Sequence, residues 1–172
     1  MRLFIAILFE KHVLDALTGF QQDLKKIGMR GNYTREENLH LTLAFIGEYG
    51  NPDEVLDAME RVSFRAFDLC TDGYGCFGDL FWVGISGEDE LSGVVSRLRR
   101  ELSDAKIPFD RKKFKPHITL IRKASCKVDR SIPISHISDC GMTVKRISLM
   151  KSERGKKGMI YTEIGGVDCE PE

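Results

Sequence analysis

No apolar run in this chain approaches the ~20 residues that a bilayer-crossing helix needs, so nothing reads as a membrane span. The opening stretch Arg2-Leu3-Phe4-Ile5-Ala6-Ile7-Leu8-Phe9 lacks a small-residue cleavage site and runs straight into Glu10, so it reads as a buried strand rather than a secretory leader. Five cysteines (Cys70, Cys76, Cys126, Cys140, Cys169) form no Cys-x-x-Cys pair. That pattern suits reduced thiols in a cytoplasmic protein and offers neither a disulfide framework nor a zinc site. No sign of charge dominates, with 26 basic against 26 acidic residues, and no linker or low-complexity segment divides the chain. At 172 residues and 42% hydrophobic content it suffices for one compact core and is too short for two ordinary independent domains. A single domain over 1–172, in two lobes, is expected.

Histidine is also scarce, and its placement is informative. Two of the 4 histidines open matching tetrads, His40-Leu41-Thr42-Leu43 and His117-Ile118-Thr119-Leu120. Each lies in a run that reads as a strand, where residues two apart share a face, so each His shares a face with its Thr. With 7 threonines in 172 residues, two of four histidines gaining a Thr at that place has a chance of roughly 1% by composition. His12 lacks the pattern, and His136 keeps only a Ser at the same offset. The tetrads are 77 residues apart, and so are Leu3-Phe4 and Leu80-Phe81. Each half therefore reads as strand, helix and His strand, as an internal duplication with two pseudo-symmetric lobes would.

The remaining pattern fills in around this frame. Val13, Leu17, Phe20, Leu24 and Ile27 recur at helical spacing, and Gly28 to Asn38 reads as a loop. Asn51 before Pro52 caps a second helix. Phe64 to Cys70 is a weak strand, Gly73 to Gly78 a turn, and Leu80 to Ile85 a strand. Leu91, Val94, Val95, Leu98 and Leu102 mark a third helix. Pro116 puts His117 at the start of its strand. Val144 to Met150 and Met159 to Ile164 are strands, with Lys151 to Gly158 a loop between them. Strands mixed with three helices and few tight hairpins indicate an α+β fold.

Charge is unevenly spread. Eight basic residues against Asp110 alone lie between Lys106 and Lys127, and six against Glu153 between Lys145 and Lys157. This basic surface around His117 suits a polyanionic ligand. Two imidazoles facing one cavity suit phosphodiester cleavage, one as general base toward the nucleophile and one as general acid toward the leaving oxygen. The Thr hydroxyls are placed to bind non-bridging oxygens. Arg122 lies an odd number of residues after Thr119, so a bulge, twist or strand end is needed to bring it to the phosphate. Phe81 and Trp82 are expected in the core, and Phe45 and Phe114 are candidates to line the cleft, although Phe45 is out of phase with Thr42.

The segments Asn38-Leu39-His40-Leu41-Thr42-Leu43-Ala44-Phe45-Ile46-Gly47-Glu48 and Phe114-Lys115-Pro116-His117-Ile118-Thr119-Leu120-Ile121-Arg122 resemble the two-histidine phosphoesterases, specifically the RNA 2′,3′-cyclic phosphodiesterases once named 2′-5′ RNA ligases. So do the first strand, Phe81-Trp82-Val83-Gly84, and Ile147 to Ser152 followed by Tyr161. The resemblance implies a bilobal α+β fold with mostly antiparallel sheets, outer helices and an active site in the cleft, working without metal or other cofactor. It implies hydrolysis of an RNA or nucleotide 2′,3′-cyclic phosphate to a 2′-phosphate, and the reverse 2′-5′ joining as a second activity. His40 would be the general acid and His117 the base; Thr42, Thr119, Arg122 and Phe45 would bind substrate. The partners implied are RNA ends and small cyclic nucleotides, with the protein a cytoplasmic monomer that does not engage membranes. A non-catalytic RNA-end binder on the same fold is the competing reading, and it has no need of two proton-transfer groups.

Overall fold

The computed structural model describes residues 1–125 and 132–172; Cys126 and Lys127, counted above, lie outside them. Among the described residues the chain runs β1 (Arg2–Leu8), α1 (Lys11–Lys26), β2 (Asn32–Tyr33), a 3-10 turn (Glu36–Asn38), β3 (His40–Glu48), α2 (Pro52–Glu60), β4 (Phe67–Phe77), β5 (Leu80–Ser86), α3 (Glu88–Asp104), β6 (His117–Arg122), β7 (Gly141–Val144), β8 (Arg146–Gly155) and β9 (Gly158–Asp168). Two sheets form, ordered β3-β1-β8-β9 and β2-β6-β5-β4-β7, with antiparallel neighbours throughout. In each, the strand that precedes a long helix pairs with the His strand that follows it: β1 with β3 around α1, and β5 with β6 around α3. The α+β, two-lobed expectation matches.

The near-continuous apolar run of β1 has a physical reason. Leu3, Ile5 and Ile7 enter the main core, while Phe4 and Ala6 on the opposite face form a second small cluster with Met150. A strand covered on both faces cannot alternate with polar residues. The helices bind the sheets to each other. Phe20 of α1, fully buried, sits 6.1 Å from Phe81 and 6.0 Å from Tyr74 in the second sheet. Buried Gln21 donates from Nε2 to the carbonyls of Thr34 (2.9 Å) and Leu120 (3.1 Å), tying α1 to the second His strand. Asn51 caps α2 as expected, accepting from the Asp53 amide at 3.2 Å.

Several sequence expectations change. The polar stretch after Gly28 contributes the short edge strand β2. The stretch from Gly73 to Gly78 is mostly strand, because an irregularity between Thr71 and Tyr74 absorbs Gly73, which has φ +67°. The stretch from Lys151 to Gly158 is not a loop but a hairpin closed by Lys156 and Lys157, with Gly155 paired to Gly158. Its charged residues disguised the strand pattern. Cys70, Cys140 and Cys169 are free thiols, whereas Cys76 is disulfide-bonded; sequence spacing shows only local pairs, not cysteines that folding brings together.

Candidate active site

Each tetrad histidine opens its strand and is held in the same way. The His40 Nδ1–H donates to the Asn38 carbonyl, and the His117 Nδ1–H to the Lys115 carbonyl, both at 2.7 Å and both two residues back. A carbonyl only accepts, so the proton of each neutral ring resides on Nδ1 and Nε2 is the basic nitrogen. His40 Nε2 lies 2.9 Å from Thr42 Oγ1, whose hydroxyl donates to it. The two His strands pack against each other across the sheets. Aromatic rings fix both imidazoles: Phe4 (4.9 Å) and Tyr161 (5.3 Å, edge-on) for His40, and Phe77 (5.3 Å, edge-on) for His117. Burial is the main force pushing the His40 pKa below its ordinary 6.5; the positive charge of Arg122 and of His117 adds to it, while the Asn38 carbonyl opposes it.

A β-bulge in each His strand completes the site. In β3, Thr42 pairs with Ala6 and Ala44 with Ile5, so one extra residue intervenes and both Leu43 and Ala44 are buried. The phase reverses there, which returns Phe45 to the face of His40 and Thr42. In β6, Thr119 pairs with Trp82 and Ile121 with Phe81, and both Leu120 and Ile121 are buried. Arg122 thereby joins the face of His117 and Thr119. The two bulges sit at the same offset from their histidines, and they resolve the parity problem for both Phe45 and Arg122.

His40, Thr42, Phe45 and Arg122 line one cavity of about 270 Å³ with Arg2, Phe4 and Tyr161. His40, Thr119 and Arg122 also line a second, larger cleft. The Arg2 guanidinium lies 5.1 Å over the Phe45 ring. His12, within 2.7 Å of the Gly141 carbonyl oxygen, and His136, beside Asp23 at 3.3 Å, stand elsewhere. Phe114 is a partly buried side chain against the main core. Trp82 is half-buried rather than core: it pairs with Thr119 on the site face and packs 5.0 Å from Phe77. Among the described residues, no three His, Cys, Asp or Glu side chains gather as a metal-ligand set.

Other residues that shape the site gave little signal in the sequence. Asn38 Nδ2 donates to the Met159 carbonyl at 2.9 Å, and Arg35 Nη2 donates to the same oxygen. These bonds fasten the β8–β9 hairpin, which carries Tyr161, beside His40. Residues more than 120 positions apart leave no trace of such a bond in their spacing.

A sequence model of the 2′-5′ RNA ligase superfamily matches residues 14–156. An RNA 2′,3′-cyclic phosphodiesterase of Thermotoga maritima is 30% identical over 173 aligned positions, covering 94% of this chain and 91% of its own. One from Archaeoglobus fulgidus is 29% identical, covering 95% and 98%. Among solved structures, apo LigT of E. coli superposes with a TM-score of 0.85 at 23% identity, over 99% of this chain and 98% of that one, a likeness of fold. With the family match spanning most of the sequence, the chain belongs to the 2′-5′ RNA ligase superfamily.

Proposed function

We propose that this protein hydrolyses 2′,3′-cyclic phosphate ends of RNA or nucleotides to 2′-phosphomonoesters, with His40 and His117 as its acid–base pair. The observation that carries the reading is the pair of imidazoles held alike through Nδ1, with His40 Nε2 at the Thr42 hydroxyl and within electrostatic reach of both His117 and Arg122. The named relatives supply the substrate class. In the reaction, His117 Nε2 takes a proton from water, the water oxygen bonds to phosphorus, the P–O3′ bond breaks, and His40 Nε2–H protonates O3′. Thr42, Thr119 and Arg122 hold the non-bridging oxygens as charge builds on them, and Phe45 bounds the nucleotide. With an RNA 5′-hydroxyl in place of water, the same proton transfers and the same P–O3′ cleavage would give a 2′-5′ linkage, and the reverse of that step would cleave one. All of 1–172 serves as one catalytic unit, since β1, β3 and β6 all contribute.

The reverse assignment, His40 as base, has one observation in its favour: burial and the neighbouring cations disfavour a proton on His40 in the free protein. The test of the function is incubation with a nucleoside 2′,3′-cyclic phosphate in EDTA. A 2′-phosphate product, lost in His40→Ala and in His117→Ala, supports it. A 3′-phosphate product, or turnover that survives either substitution, overturns it.

A further inference from the structure

The larger cleft holds about 600 Å³ and runs from His40, Thr119 and Arg122 to Lys25 at the end of α1, Arg35, and Lys157 at the hairpin tip. No carboxylate lines it. Arg35 is partly neutralised by Glu37 at 3.5 Å. Among the described residues, Lys25, Lys157 and Arg122 form no ion pair, although Lys11, Lys151, Arg61 and Arg146 all do. In a chain of balanced charge, unpaired cations along one groove focus its positive field there. Phe4 and Phe45 line only the smaller cavity and Tyr161 lines both, while Tyr33 in the large cleft has Lys25 Nζ 4.7 Å over its ring. A base suits the aromatic cavity, and a phosphate chain suits the cationic cleft.

We propose that this cleft is a subsite for the backbone phosphates 5′ of the reacting nucleotide, so that Lys25 and Lys157 select oligonucleotide ends over single nucleotides. The proposal rests on the cyclic-phosphate reading of the same site. A mononucleotide has one phosphate, which the histidines and Arg122 hold; Lys25 and Lys157 act only when the chain continues.

The test compares Lys25→Gln/Lys157→Gln with Lys26→Gln, which removes charge from the same helix end outside the cleft. Substrates are cytidine 2′,3′-cyclic phosphate and a tetranucleotide with the same end. Binding of a fluorescein-labelled tetranucleotide 3′-phosphate is measured across a salt series. The double variant should lose about tenfold in kcat/KM on the tetranucleotide and stay within about twofold on the mononucleotide. Its log K against log salt slope should fall by about 1.4, or ~0.7 per phosphate on a single strand. Lys26→Gln should leave that slope unchanged. Equal losses on both substrates, or an unaltered slope, overturn the proposal. If the wild type turns over neither substrate, the cyclic-phosphate reading fails, while the salt slope still decides whether the cleft binds backbone phosphate.

Discussion

Removing one histidine at a time, and then varying the leaving group, tests the acid–base pair most sharply. Each of His40→Ala and His117→Ala deletes one of two proton transfers, which typically contributes 10²–10⁴-fold, or about 3–5 kcal/mol of barrier. The double variant should lose less than the product of the two, because the pair acts as one unit. Loss of fold would not explain such a drop. The His40 ring gives up one bond to the Asn38 carbonyl, one from Thr42, and packing on Phe4 and Tyr161, about 1–2 kcal/mol. For a chain of this size that lowers Tm by roughly 2–8 °C, so the variant stays folded at 25 °C. Bell-shaped pH profiles have the same two limbs whichever histidine is the acid, so they do not assign roles. A cyclic phosphorothiolate with sulfur in place of the 3′ oxygen does, since a departing thiolate needs no proton. Measured in EDTA by the 3′ thiol freed as the sulfur substrate opens, His40→Ala should regain most of its lost rate on that substrate, and His117→Ala should not. Rescue of His117→Ala instead reverses the roles. Either alanine variant keeping more than a tenth of wild-type activity on the ordinary substrate refutes the pair altogether.

Arg122→Gln should lower kcat/KM and, by removing a cation that disfavours the His40 proton, move the His40 limb of the kcat/KM profile to higher pH; an unmoved profile contradicts this. His40 binds its proton less readily folded than unfolded, so the unfolded chain binds more protons below pH 6.5 and stability should fall as pH drops below that value. Denaturant titrations of wild type and His40→Gln at several pH values check whether the substitution removes that slope. Gly84→Ala places a Cβ 2.4 Å from the Asp72 carbonyl oxygen on the residue paired with His117; a cost of about 1–3 kcal/mol and a lower kcat should appear together in melting and rate assays. Gln21→Leu strips the donor from two backbone carbonyls and should cost about 1–3 kcal/mol, read by denaturant unfolding.

The sequence made the tetrads, the three helices and the repeated strand–helix–strand order legible because each is written in local periodicity. What it hid depended on pairing across strands. The hairpin from Arg146 to Asp168 read as two strands and a loop, since its outer half faces solvent and carries charge on both faces. The bulges were invisible because Leu43-Ala44 and Leu120-Ile121 look like ordinary strand residues until the partner strand shows one residue too few. Trp82 looked like core because its neighbours Phe81 and Val83 are core, yet it stands on the opposite face beside Thr119.

Those bulges also explain how two similar halves make an unsymmetrical site. Phe45 and Arg122 occupy the same place, five residues after their histidines and just past the bulge. The first lobe puts an aromatic ring there and the second a permanent cation. Arg122 does not act only beside its own strand's histidine: it lines both cavities with His40 and disfavours the proton there. The second lobe thus tunes the histidine of the first, and the Met159 carbonyl, held by Arg35 and Asn38, keeps Tyr161 against the same ring. Near-identical tetrads therefore enter different electrostatic surroundings. Two imidazoles that start equal in sequence are set apart first by the burial of His40 and then by the arginine that a bulge in the other strand turns toward it.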